Sequence, residues 1–542
     1  MEQIAAEISK IQTFHGLLLT VLKFHGDKVA IIDADNESKK VTFSQIQNTA
    51  LRIVNFLVDG ASFRKQETVA TLVSNCWEHI AIHIGTSLVG GIFTAVSSHF
   101  TNFEVSHQLR DSDATVVFVD GAYLKKVLSA LPECPKIRKI VVLGNFNRVM
   151  KANIDIQGWY TVNRYPARMP ETPVIDAKND ICWLPYSSGT TGLPKGVMIT
   201  HKNYLDHFKA SLLHGIQTFS ENFELPRNEF VVCFMPIYHA MGYNNVIRNL
   251  AKGPMIILMK NYSLENLLFF IQKYKPNFLI AAPTVVQQLV KNPVVKKYNL
   301  SSIKLITTGG SKLDEGTMKT IIKQFPNVQL MTQGYGMTEA VTTLATTRGK
   351  KSDSLNCVGT PLPGVEVQIF DPDTDEILPR GKVGEVRFKA PYTMKGYWKN
   401  PEATRACYDN NGYFKTGDIG YFDSEGLLFI NDRIKELIKV KSFQVPPAEL
   451  EAVLMTHPLV SDCAVIGIPD DVSGEVPKAF VVRSSKRLTR EEVVKYIAER
   501  LSYYKHLKGG VEFVEEIPRT ASGKIMRRYF KEREAAHRKS KL

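Results

Sequence analysis

The chain has 542 residues, 44% of them hydrophobic and 23% charged, which excludes a disordered chain and predicts a globular protein with a large body and a smaller appendage. Its seven cysteines form no C-x-x-C pair and are odd in number, which argues against a disulfide framework or a zinc site and fits a reducing compartment. The net charge is +14, but residues 519–542 carry nine Lys/Arg against two Glu; no nucleic-acid motif accompanies this basic tail, so a solvated end or attraction to an anionic substrate explains the charge better than nucleic acid does.

In chain order, MEQIAAEISK is acidic and amphipathic and is no secretory signal. The longest apolar stretches, such as 88–96, are broken by Gly and Thr and fall short of the roughly 18 residues a membrane span needs. Residues 181–186 read as a strand running into YSSGTTGLPKG at 186–196. Apolar β-rich runs at 277–282, 303–308 and 328–332 alternate with helical ones at 284–290 and 314–324, the pattern of parallel strands with crossover helices. Gly309–Gly310 and Gly334–Tyr335–Gly336 each follow a strand, so both turns are expected at carboxyl ends of a parallel sheet, where ligands bind.

After residue 430 the texture becomes charged, and a boundary is expected near 432–435. Pro446–Pro447 open a helix at its favoured first positions, strands are expected near 463–468 and 478–482, and Thr489 with Glu492 forms a capping box that starts another helix. The domains expected are 1–432 and a small α+β unit at 433–542.

The loop at 186–196 is built to meet phosphate: Ser187, Ser188, Thr190 and Thr191 donate hydrogen bonds, Gly189 and Gly192 let backbone N–H groups approach an anion, and Lys195 brings charge. It is not a Walker loop, since Pro194 stands where the second glycine belongs and Gly196 where a Ser or Thr would follow the lysine.

This loop, with QGYGMTE (333–339), GYFKTGDIGYFD (412–423), NDRIKELIKVKSFQVPPAELE (431–451), IGIPDDVSGEVPKAFVV (466–482) and PRTASGKIMRR (518–528), resembles the adenylate-forming superfamily. Within it the chain is most similar to the branch of beetle luciferases, plant hydroxycinnamate–CoA ligases and animal peroxisomal acyl-CoA synthetases. The resemblance implies an α/β fold, with a large N-terminal domain of parallel and mixed sheets flanked by helices and a small mobile α+β C-terminal domain. It also implies a two-step reaction. A carboxylic acid and ATP give acyl-AMP and pyrophosphate, and coenzyme A then displaces AMP.

Residue by residue, the resemblance implies that the 187–195 loop cradles the outgoing phosphates. Thr308, Gly309, Gly310, Ser311, Gln333, Gly334, Tyr335 and Gly336 would wall the adenine, and Thr338 would touch the α-phosphate. Glu339 would hold Mg²⁺, and Asp418 would accept both ribose hydroxyls with Arg433 nearby. Lys524 would be the mobile lysine of adenylation, and Lys441 would serve the second half-reaction after rotation about a hinge at Lys435. His239, Met241, Gly242, Met337 and Val341 would line the acyl site, and Lys441, Ser442 and Phe443 the coenzyme A path. Ser442 departs from the family, which reads glycine there, and this puts thioester formation more in doubt than adenylation. Read alone, many of these residues have plainer roles: Lys524 is a surface lysine, Asp418 a turn residue, His239 a packed core group.

Ser540-Lys541-Leu542 matches the peroxisomal address, which implies an import receptor as partner and a matrix location. The acid itself stays open between fatty acids, hydroxycinnamate-like aromatics and side chains of signalling lipids such as ascarosides. A luciferase-like oxygenase is the alternative chemistry, and a nucleotide-binding relative without catalysis the alternative class.

Overall fold

The computed structural model describes residues 6–8, 10–144, 154–187, 193–222, 229–310, 313, 315–347, 355–372, 374–433, 438–441, 443–445, 447–518, 525 and 527–539. Ser188, Gly189, Thr190, Thr191, Gly192, Ser311, Lys435, Ser442, Lys524 and Ser540 to Leu542 therefore lie outside the described residues, as does the side chain of Arg433. The chain divides into two compact units. The first comprises Met1–Ser98, Leu109–Pro185 and Gly196–Asp432; the second comprises His99–Gln108, Tyr186–Lys195 and Arg433–Leu542.

The first unit is α/β. Strands Ile92–Ala95, Thr68–Leu72, Ala114–Asp120, Lys139–Leu143 and Asp155–Gly158 lie side by side in that order, all parallel, and Ile181–Trp183 joins beyond Ile92–Ala95. Nearly every side chain on the inner strands is buried, which is why they read as apolar runs without alternation. A second parallel set, Phe278–Ala281, Leu305–Gly309 and Leu330–Gly334, carries the two glycine turns at its carboxyl ends, with Gly309 opposite Gly334 in register. An antiparallel sheet of Glu366–Phe370, Gly384–Lys389, Phe414–Phe422 and Leu428–Arg433 completes the frame.

Helices Phe14–His25, Glu78–Leu88 and the start of His201–Asn222 pack a core that contains histidines as well as hydrocarbons. The His83 ring stacks on Phe14 at 4.0 Å and on Phe93 at 4.2 Å. Its Nε2 donates to the Cys182 carbonyl at 3.0 Å and its Nδ1 accepts from the Tyr243 hydroxyl at 2.6 Å, a pattern only the neutral ring can make. Burial holds His83 well below the ordinary imidazole range and pushes His79 and His201 down to about 3.

The second unit centres on a five-stranded sheet whose long hairpin pairs Val460–Asp470 with Gly474–Arg483. Helix Arg490–Arg500 starts on a complete capping box, with the Thr489 hydroxyl accepting from the Glu492 N–H and the Glu492 carboxylate accepting from the Thr489 N–H. Lys505 is buried between two carboxylates, 2.6 Å from Glu104 and 2.7 Å from Glu449, and so ties the 99–108 segment into this unit. All seven cysteines are free thiols. Among the described residues no helix is long and apolar enough to cross a membrane.

Candidate active site

The site in the first unit is built on the turns that end the parallel strands. Gly310 takes a left-handed φ of 82°, which glycine adopts without strain, and this lets the chain leave the Leu305–Gly309 strand sharply. At Gly336 any side chain is excluded: a Cβ would lie 1.7 Å from the Thr342 carbonyl oxygen. The chain therefore doubles back closely after QGYG, and the residues from 335 to 343 fold into a compact hook.

Thr338–Ala340 forms one turn of 3₁₀ helix inside that hook. Val341 then adopts φ 61° and ψ −50°, and the Thr342 N–H bonds back to the Ala340 carbonyl at 2.6 Å, a γ-turn of the strained hand. A β-branched residue in this region stores backbone strain, on the order of 1–3 kcal/mol, held in place by the complete burial of the Val341 side chain.

Glu339 is buried, and its carboxylate accepts the Tyr397 hydroxyl at 2.9 Å. Burial, followed by the charge of Glu339, raises the Tyr397 phenol far above its ordinary value, so Tyr397 remains a donor. Among the described residues no three metal-ligating side chains gather, and Glu339 is the carboxylate expected to meet the metal. That suits Mg²⁺, which binds through one or two carboxylates and takes its remaining ligands from substrate phosphates and water. Nothing in the sequence singles out Tyr397; its partnership with Glu339 arises from packing 58 residues apart.

Asp418 lies within the Phe414–Phe422 strand rather than in a turn. The ladder with Gly384–Lys389 slips between Val386 and Arg387, and Gly417 takes φ 68° at that irregularity. Such bulges re-aim a side chain. Here the buried Asp418 carboxylate accepts the Tyr335 hydroxyl at 2.6 Å, so the adenine-turn tyrosine and the expected ribose acceptor meet directly. Thr308 is fully buried, and its hydroxyl has no hydrogen-bond partner among the described residues.

His239 caps the helix Ala240–Lys252, its Nδ1 accepting from the Met241 N–H at 3.3 Å. The ring is open to solvent yet hemmed in by protein, and desolvation lowers its pKa from the ordinary value. Met241, on the first turn of that helix, points at the glycine turn: its Cε lies 3.5 Å from the Cβ position of Gly309 and its Sδ 3.8 Å from that of Gly310. Met337 packs half-buried against the core at the start of the hook.

Three expected contacts turn elsewhere. Gly242 faces the Pro236 carbonyl, which a Cβ would meet at 2.2 Å, so it is a close-packing glycine and not an open wall. The Gln333 side chain is buried and holds the glycine turn from behind, accepting from the Leu313 N–H at 2.9 Å and donating to the Leu355 carbonyl at 3.1 Å. In the second unit Phe443 stacks on Tyr504 with ring centroids 3.9 Å apart, so its face is already occupied. Lys441 is exposed at φ 55° in the two-residue loop between Ile438–Val440 and Phe443–Val445. Ser187 and Lys195 begin and end the described edges of the phosphate loop, on Tyr186–Ser187 and Lys195–Thr200.

Glycine turns at the carboxyl ends of parallel strands, with the buried Asp418 carboxylate bonded to Tyr335 and the buried Glu339 carboxylate in the hook, are the kind of site at which α/β enzymes take a ligand. The signature of the AMP-binding enzyme family matches residues 20–398, and that of the AMP-binding enzyme C-terminal domain matches 449–524. The chain is 36% identical to acyl-CoA synthetase 7 of Caenorhabditis elegans, covering 97% of both, and 35% identical to 4-coumarate–CoA ligase 1 of Petroselinum crispum, covering 94% of this chain and 92% of that one. A long-chain-fatty-acid–CoA ligase of Archaeoglobus fulgidus superposes with a TM-score of 0.73 at 26% identity, over 92% of this chain and 96% of that one. The chain belongs to the AMP-binding enzyme family, and it is an AMP-forming acid–thiol ligase that uses ATP and coenzyme A.

Proposed function

We propose that this ligase activates a carboxylic acid whose reacting end enters an apolar recess beside the glycine turn, and that it does so with Mg²⁺-ATP. The direction of Met241, toward Gly309 and Gly310, carries the reading: it sets a soft apolar side chain beside the turn expected to wall the nucleotide, and an apolar acid needs such a wall. Thr338 and Glu339 then stand at the α-phosphate and the metal, Asp418 at the ribose, and Lys524 and Lys441 act in the first and second half-reactions.

The test is AMP release from Mg²⁺-ATP across a panel of fatty and aromatic acids, each with and without coenzyme A. Turnover that requires coenzyme A with one acid class preferred supports the proposal; turnover of none of these acids overturns it. The hydroxycinnamate-type alternative draws support from the 4-coumarate–CoA ligase relatives and is decided by the same panel. A peroxisomal location belongs to the proposal as well, and it is checked by imaging the full-length chain with and without Ser540 to Leu542.

A further inference from the structure

The helix Ala240–Lys252 runs away from the glycine turn alongside the hook. Met241 points at Gly309 and Gly310; one turn on, Asn244 Nδ2 donates to Thr342 Oγ1 at 2.5 Å; a further turn on, Arg248 Nη2 donates to Thr343 Oγ1 at 3.2 Å. Residues 241, 244 and 248 share one helix face, and Met241 and Arg248 are separated by about 10 Å along the axis. A guanidinium thus stands two turns along the helix from Met241.

Among the described residues that guanidinium has no counter-charge. Its other contacts are the Ser211 hydroxyl at 3.1 Å and His207 Nε2 at 3.5 Å, and no carboxylate among the described residues pairs with it. Burial lowers Arg248 from its ordinary value, against the weaker opposing influence of the Tyr204 and Tyr392 phenols. The Arg248 Nε–H is buried without an acceptor.

His207 cannot supply the missing charge. It accepts the Thr343 N–H at 3.2 Å through Nε2, so its proton sits on Nδ1, and that atom too is buried without a partner. Burial first and the Arg248 charge second hold His207 neutral. The Arg248 side chain is half-buried, but its Nε–H and the His207 Nδ1–H are buried without acceptors among the described residues, which is costly unless an acceptor is supplied. The carbonyl end of the helix offsets only part of that cost.

We propose that Arg248, with His207 beside it, receives a second carboxylate at the far end of the acid being activated, so that the preferred substrates are dicarboxylic acids and their ω-carboxylated relatives. This rests on the acyl recess beginning at Met241, as proposed above. The reacting carboxylate meets the nucleotide and the distal one meets Arg248, with apolar chain between them. Arg248 is then a specificity-determining residue that takes no part in the chemistry.

The experiment compares straight-chain monocarboxylates with dicarboxylates of equal length, reading kcat/KM for AMP release in the wild type, Arg248→Gln and Arg248→Lys. The wild type is expected to favour one length of dicarboxylate over its monocarboxylate partner by about 10–100-fold, Arg248→Gln to abolish that ratio, and Arg248→Lys to restore part of it. In case Arg248→Gln does not fold, the dissociation constants of two non-hydrolysable acyl-adenylate analogues, with and without an ω-carboxylate, are measured on the wild type by calorimetry, where the ω-carboxylate should tighten binding by a similar factor. Equal wild-type turnover of the two series, or equal binding of the two analogues, overturns this inference while leaving the ligase reading intact. A ratio unchanged in Arg248→Gln also overturns it. If no acid of either series releases AMP, the proposed function fails, and this inference fails with it.

Discussion

The Tyr335 hydroxyl donates to the Asp418 carboxylate at 2.6 Å and so joins a turn at the end of a parallel strand to a bulge in an antiparallel sheet. The bond fixes the carboxylate before any nucleotide arrives, which reduces the ordering that binding must do. Bonds to a charged acceptor contribute about 1.5–3 kcal/mol. Tyr335→Phe is therefore expected to lower the stability of the nucleotide-free enzyme by that order. Ribose hydroxyls can replace the lost donor, so the deficit should shrink when a non-hydrolysable ATP analogue is added. Thermal denaturation with and without the analogue checks this, and a deficit that is unaffected by the analogue counts against a ribose role for Asp418.

Glu339 and Tyr397 make a separable pair. Glu339→Gln keeps an acceptor for the Tyr397 hydroxyl, now held at 2.9 Å, but removes the charge a metal would need. Adenylation, followed by pyrophosphate exchange, should fall by about 100-fold or more, while thermal stability changes by no more than about 1 kcal/mol. A large stability loss with exchange preserved would assign Glu339 to the fold instead.

What the sequence makes legible and what it hides follows from the range of the interactions. The strands ending at Gly309 and Gly334 can be read because apolar β-rich runs stop at glycines, and Thr489 with Glu492 can be read because a capping box is contained in four residues. Asp418 reads as a turn residue because KTGD is turn chemistry, whereas the cross-strand partner Val386 is what makes it a strand residue at a bulge. The close approach of the Gly242 backbone to Pro236 and the direction of the Gln333 side chain, toward Leu313, are decided by tertiary packing. Arg248 is hidden for the same reason: its spacing looks like the polar edge of an amphipathic helix, and that its described partners are Ser211, Thr343 and His207 and no acid emerges only from the packing.

The buried histidines give the first unit an acid sensitivity with a definite sign. His79, His83 and His201 are held below their ordinary value of 6.5 by burial, to about 3 for His79 and His201 and well below the ordinary value for His83. The unfolded chain binds protons below about pH 6.5 that the folded one refuses, so their contribution is intact above that pH and is lost as pH falls toward 3, by about 1.4 kcal/mol per pH unit for each ring. Together that is about 4 kcal/mol per unit, enough to unfold a protein of ordinary stability in mild acid. His79→Phe, at a ring whose Nε2 has no partner, should reduce the slope by about a third. Urea denaturation between pH 7 and 5 measures it, and an unchanged slope would remove His79 from the account.

Val341 offers a test of strain. Replacing a buried valine by glycine ordinarily costs more than replacing it by alanine, by about 0.5–1 kcal/mol of backbone entropy. At φ 61° the order should reverse, because glycine relieves the left-handed strain that alanine keeps. Val341→Gly is therefore expected to be as stable as Val341→Ala or more so, as read by chemical denaturation, and a glycine variant clearly less stable than the alanine variant would mean the γ-turn is not strained.

Ser442 lies outside the described residues, but the residues on either side of it are placed. Val440 pairs with Phe443, leaving a two-residue hairpin loop, and its first residue, Lys441, has a left-handed φ of 55°. Two-residue loops of this kind favour glycine at their second position. Ser442→Gly is expected to stabilise the second unit by about 0.5–1 kcal/mol. If the hydroxymethyl also obstructs the coenzyme A path, the same change should raise thioester formation while leaving acyl-adenylate formation unaltered. Measuring pyrophosphate exchange and coenzyme A-dependent AMP release on one preparation separates the two effects. Gains in stability without a gain in thioester rate would confine Ser442 to the turn, and a fall in thioester rate would show that the serine serves the second half-reaction.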